Sequence, residues 1–129
     1  MKAIRIRDLV PGKGYLAVDL LNTLALLENH LGPLEWVASD VWATGERSQE
    51  LEALAEKGAR IKSEQLLVLA KAVNQVIDGE FKGYLADAEK PWVIVRAVDS
   101  SWYELHCEDV AVIEQAKQRF KETKAIESA

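Results

Sequence analysis

The sequence predicts an α+β fold: an antiparallel sheet of about four strands (35–43, 76–84, 91–99 and 102–107) with helices at 15–30, 48–57, 63–74 and 109–123. Three observations carry this. Leucines recur at helical spacing near the N-terminus. Period-two alternation takes over at about residue 75. The last three strand-like segments follow one another with short links, which makes them antiparallel neighbours rather than parts of a βαβ unit.

Taken in order, "IRIR" at 4–7 alternates and reads as a short edge strand, and "VPGKG" at 10–14 is a turn by its Pro and Gly. In the first helix Leu16, Leu20, Leu24, Leu27 and Leu31 form a stripe at steps of three and four, stopped by Gly32-Pro33. "LEWVASDVW" at 34–42 is rich in β-formers and separates into Trp36, Ala38, Asp40, Trp42 on one face and Glu35, Val37, Ser39, Val41 on the other. Ser48 caps a short helix closed by Gly58, and Ser63 caps the next. In "VIDGEFKGY" at 76–84, Gly79 and Gly83 signal a bulge or the close approach of a packed neighbour. Glu108 or Asp109 caps a last helix carrying Val112, Ile113, Ala116 and Phe120, after which "ETKAIESA" frays.

Residues 91–109, "PWVIVRAVDSSWYELHCED", form a hairpin whose loop length decides its faces. A three-residue loop, Asp99-Ser100-Ser101, sets Val98 against Trp102, Arg96 against Glu104 and Ile94 against His106. A two-residue loop splits the charges between faces. A slip of one residue inverts every side chain, so the burial pattern favours the three-residue loop, or a five-residue loop of the same parity, although the usual glycine is lacking. Val93, Val95, Ala97, Tyr103, Leu105 and Cys107 then face the core. The opposite face holds Trp92, Ile94, Arg96, Val98, Trp102, Glu104 and His106. If Trp36, Asp40 and Trp42 share that face, it is an aromatic surface studded with an Arg, two acids and a His. Its apolar area calls for a cover: the protein's own helices, or a partner. The candidate binding residues are therefore Trp36, Asp40, Trp42, Trp92, Arg96, Trp102, Glu104 and His106.

Composition narrows the function. A chain of 129 residues fits a single domain, 1–129, able to bury a core without metal or disulfide. A formal net charge of −5 disfavours nucleic acid and anionic membrane as partners. The single cysteine, Cys107, points to a reducing, cytoplasmic setting. The apolar run 15–31 carries too many polar residues to span a membrane. Cys107 and His106 are adjacent on a strand, so they point to opposite faces and do not form a catalytic pair. Glu104 and His106 share a face but supply only two of the three or four ligands a zinc site needs. Asp78 and Glu80 form a carboxylate pair on a strand, where solvated acids are the common case. "PGKG" lacks the full phosphate-loop pattern. No metal and no cofactor is called for.

"VIDGEFKGY" followed by "PWVIVRAVDSSWYELHCED" resembles a pattern in small bacterial proteins of uncharacterised function, over about a third of the chain. The resemblance implies a bacterial cytosolic protein and carries over no catalytic residue. In size, acidity and single cysteine the chain is also similar to bacterial immunity proteins. The expectation is a non-enzymatic protein-binding module with an aromatic and acidic surface, for which a basic toxin is one fitting partner. The competing expectations are a small enzyme or ligand binder, with Arg96 holding an anion and His106 or Glu104 moving a proton, and a homodimer packed through the same face or the Leu-rich helix.

Overall fold

The computed structural model describes residues 1–128, and its sheet is larger than the sequence predicts. Among the described residues, four helices accompany one antiparallel sheet of seven strands rather than about four. In chain order the elements are β1 (Lys2–Ile6), α1 (Leu20–Leu31), β2 (Glu35–Gly45), α2 (Ser48–Lys57), β3 (Arg60–Lys62), α3 (Ser63–Ala72), β4 (Val73–Tyr84), β5 (Val93–Val98), β6 (Trp102–Cys107), α4 (Val110–Arg119) and β7 (Thr123–Ile126). Across the sheet they run β3-β2-β4-β5-β6-β1-β7.

The three additional strands are short. β1 is not an edge strand: it lies between β6 and β7 and pairs with both. The segment expected to fray supplies β7, because α4 stops at Phe120, whose extended backbone (ψ 150°) turns the chain back along β1. Asp8 holds that return, its carboxylate accepting from the N–H groups of Lys121 and Glu122 at 2.7–2.9 Å. The first helix begins later than its leucine stripe. Asp19 and Asn22 form a reciprocal cap at its start, and Leu16 instead makes a β-bridge to Leu9. Its end at Gly32, φ 72°, is where the sequence puts it. Asp109 caps α4 through Ala111 N–H (2.9 Å).

The hairpin register is the one implied by a three-residue loop: Val98 opposite Trp102, Arg96 opposite Glu104, Ile94 opposite His106. Asp99 and Ser100 both adopt left-handed backbone (φ 49° and 57°), as a tight reversal with Ser101 N–H bonded to Val98 O requires. Neither is glycine. The neighbouring strand holds the tip instead: Asp78 Oδ1 accepts from Asp99 N–H at 2.8 Å and Ile77 O from Ser100 N–H at 3.0 Å.

One face of the sheet is the core. Val93, Val95, Ala97, Tyr103, Leu105 and Cys107 are all buried there, joined by Ile4, Ile6 and Phe81. Against them pack Leu20, Leu24 and Leu27 of α1, Leu51 of α2, Leu66 and Leu69 of α3, and Val112 and Ile113 of α4, in one cluster. All four helices thus contribute to the core cluster, and among the described residues the opposite row of Glu80, Arg96 and Glu104 joins none of the helical side chains in it. No helix among the described residues is long and apolar enough to cross a membrane.

Candidate functional site

The uncovered face is read from cross-strand partners, since residues directly opposite one another project to the same side. Ser39, Glu80, Arg96, Glu104, Arg5 and Lys124 form one row running across β2, β4, β5, β6, β1 and β7. Val37, Lys82, Ile94, His106, Ala3 and Ile126 form the next. On the other side of the first row lie Trp42, Asp78, Val98 and Trp102, with Arg7, the residue after β1, two along the chain from Arg5.

Trp36 does not belong to this face. Its partner Gly83 sits opposite Val93, so its ring points into the core and is 1% exposed. The alternation that groups Trp36 with Trp42 is broken by a bulge. Between Ser39↔Glu80 and Trp42↔Asp78 the chain advances three residues on β2 and two on β4. Asp40 absorbs the extra residue in left-handed backbone (φ 53°), which Asp tolerates better than most side chains. The bulge turns Trp42 to the outer face, where it is 57% exposed. Trp92 lies ahead of β5, partly buried and packed against the core cluster. Of the eight candidates, Trp42, Arg96, Trp102, Glu104 and His106 share the uncovered face, Asp40 marks its bulge, and Trp36 and Trp92 serve the core.

The glycines of β4 explain how Trp36 fits. A Cβ on Gly83 would lie 2.7 Å from Val93 Cγ1 and 3.0 Å from the Trp36 ring, so only glycine leaves room for the indole to lie flat on the sheet. Trp36 Nε1 has no hydrogen-bond partner among the described residues.

Glu104 is the hub of the central group. Its Oε2 accepts from Trp102 Nε1 (3.1 Å), its Oε1 bonds to His106 Nε2 (3.0 Å), and Arg96 stands 3.7 Å away. Burial works to raise its pKa. The bonds from His106 and Trp102 and the charges of His106 and Arg96 outweigh it and hold the carboxyl below its ordinary value. Arg96 faces Glu104 as the register implies, but its close bond, at 2.8 Å, goes to Glu80 on its other side. Glu80 also takes Lys82 at 3.5 Å. The acids at 78 and 80 are thus engaged separately: Glu80 with two cations, Asp78 with the hairpin tip. Arg5 lies over the Trp102 ring, 5.5 Å from its centroid.

His106 is 1% exposed although it lies on the helix-free face. Its Nδ1 reaches Ser128 Oγ at 3.1 Å, past β1 where the residue opposite the ring is the small Ala3. Ser128, His106 and Glu104 stand in the order of a nucleophile, a base and an orienting acid. The ring's enclosure, however, leaves a substrate no approach to it. One cleft of about 380 Å3 lies beside Asp8, Val18 and Phe120, and one of about 680 Å3 beside Ile4, Val110 and Ile113 has Ser128 at its margin. Arg96, Trp102, Glu104 and His106 line neither. Cys107, on the core side, is fully buried, and burial pushes its thiol up to about 11. Among the described residues no three His, Cys, Asp or Glu side chains converge on a metal-sized site. The central polar residues therefore satisfy one another, and the free features of the face are Trp42 and the charges around it.

Comparison of the chain with protein-family models, with curated proteins and with solved structures finds no match in any of the three.

Proposed function

We propose that this protein acts without catalysis, by binding another protein through the helix-free face of its sheet. The observation that carries the reading is Trp42: a bulge turns this large aromatic outward on a face that no helix covers, 57% exposed and directly opposite Asp78. Tryptophan is the residue type most enriched at binding hot spots, and a rim of polar groups around an aromatic anchor is the usual anatomy of such a contact. Asp40, Asp78 and Glu80 place carboxylates near that anchor, and the chain carries a net charge of −5. Around Trp42 those carboxylates favour a basic group on the partner and speed its association. In a bacterial cytosol this is the profile of an immunity-type inhibitor that neutralises a basic toxin.

The test is capture from lysate of the native organism by immobilised protein, comparing the wild type with Trp42→Ala, Asp78→Asn and Val68→Ala. Asn keeps the Oδ1 acceptor that holds the hairpin tip, and Val68 is 51% exposed on α3, away from the sheet. The expected result is a stoichiometric protein held by wild type and Val68→Ala and lost by Trp42→Ala, with Asp78→Asn weakened at low salt. Retention by Trp42→Ala together with loss by Val68→Ala would place the contact on the helices and overturn the reading.

A further inference from the structure

The charges of the helix-free face are divided by strand. β4 carries Asp78 and Glu80, the latter with Lys82 beside it at 3.5 Å, whereas β1 and β7 carry Arg5 and Lys124, and Arg7 directly follows β1. Among the described residues, Arg5 and Lys124 have no carboxylate within 4.0 Å, and Arg7 has only Glu122, at 4.0 Å. Asp78 has no cationic partner among the described residues, only the Asp99 N–H. Unpaired acid and unpaired base therefore stand on opposite sides of the central β5–β6 hairpin, Asp78 on one and Arg5 and Lys124 on the other, while Glu80 already holds Arg96 and Lys82.

That arrangement is complementary to itself. Consider two copies placed face to face, related by a two-fold axis parallel to the strands and running between β5 and β6. The axis exchanges β5 with β6, β4 with β1, and β2 with β7, and it keeps each row opposite itself. In the first row Glu80 then meets Arg5, Arg96 meets Glu104, and Ser39 meets Lys124. In the row of Asp78, that carboxylate meets Arg7 and Val98 meets Trp102. In the row of Ile94, Val37 falls opposite Ile126 and Lys82 opposite no charge, while Ile94, His106 and Ala3 are buried within each copy. No row sets like charges against each other. The partly exposed apolar groups nearest the axis, Val98 and Trp102, meet across it at the hairpin end. Isologous association of this kind is the commonest oligomeric symmetry, and aligned sheets pack face to face through it.

We infer that the partner of the helix-free face is a second copy of this chain, joined about a two-fold axis between β5 and β6 that overlays the acidic β4 of each copy on the basic β1 of the other. The inference rests on the reading of that face as a protein-contact surface and names its occupant. Sedimentation equilibrium of the full chain tests it. The expected mass is twice 14.4 kDa at micromolar concentration, falling toward the monomer as salt screens the pairs. Arg7→Asp and Asp78→Arg each weaken association by ~10-fold or more, and the two together in one chain restore it, because each replaces the other's partner across the axis. Arg5→Glu with Arg7→Glu leaves the hairpin tip untouched, turns both sides of the face acidic, and gives a monomer whose circular dichroism is unchanged. A wild-type mass of 14.4 kDa at every concentration and salt would overturn the inference. So would a dimer indifferent to Arg5→Glu with Arg7→Glu. A monomer that still captures a foreign basic protein through Trp42 would leave the broader reading standing and refute only the second copy.

Discussion

Replacing Trp36 and Trp42 by alanine, one at a time, separates the two faces of the sheet with the same chemical change six positions apart on one strand. Trp36 is 1% exposed, lies against Gly83 and Val93, and leaves a large cavity when truncated. Buried Trp→Ala changes cost ~3–5 kcal/mol, a large part of the ~5–15 kcal/mol that holds a domain folded. Trp42 is 57% exposed, and its truncation falls within ~0.5 kcal/mol of neutral. Trp36→Phe lies between. It removes the benzo edge that touches Gly83 but also the Nε1–H that has no partner, so its net cost stays within ~2 kcal/mol. Urea unfolding followed by far-ultraviolet circular dichroism gives these differences, provided the slope is unchanged between variants. Without the bulge at Asp40, strand alternation puts both tryptophans on one face. A comparable loss for the two alanine variants would therefore refute the bulge and, with it, the placement of Trp42.

Three further predictions follow from the same geometry. Gly83→Ala destabilises by ~1–3 kcal/mol in urea melts, because its Cβ would meet Val93 at 2.7 Å in a fully buried layer. Gly79→Ala, with nothing nearer than 3.1 Å, costs less, and the reverse order would refute the packing of Trp36 on β4. Glu104→Gln costs ~1–3 kcal/mol at neutral pH by removing charge-assisted bonds. Because the folded-state pKa of Glu104 is depressed, its contribution is complete above the ordinary carboxylate pKa of about 4.3 and is lost as pH falls through the folded value, so the variant's stability declines less steeply in acid than the wild type's. Cys107, buried and with its thiol pushed up to about 11, reacts with a disulfide reagent at mildly alkaline pH only as the chain unfolds. A burst of modification of the native protein would contradict its place in the core.

The hairpin was legible because parity leaves few choices: one loop length puts Arg96 and Glu104 on one face and six apolar residues on the other, and the backbone adopts it. The glycines of β4 were legible as a bulge or a close approach, and at Gly83 the approaching groups are Val93 and Trp36. The bulge was not. Asp40 is one polar residue in a run of β-formers, and its left-handed backbone reflects pairing with β4, which no local pattern encodes. The position of β1 and the existence of β7 were hidden for a similar reason. "TKAI" is too short to alternate visibly, and it becomes a strand only because Asp8, more than a hundred residues earlier, holds the turn that leads into it. The late start of α1 came from capping: the leucine stripe extends through Leu16, but Asp19 and Asn22 close the helix at Leu20. In the site, periodicity located the face; the pairing of Arg96 with Glu80 and the enclosure of His106 beside Ser128 required tertiary contacts.

The most direct test of the helix-free face as the contact surface uses the four indole N–H signals of the 15N-labelled protein. They are followed as the chain is concentrated from micromolar to millimolar, and again as a captured partner is added. The account predicts that Trp42 and Trp102 shift or broaden with complex formation while Trp36, sealed in the core, stays fixed. Unchanged Trp42 and Trp102 signals in a complex that perturbs Val68 or Val110, both exposed on helices, would put the contact on the other side of the molecule and contradict it.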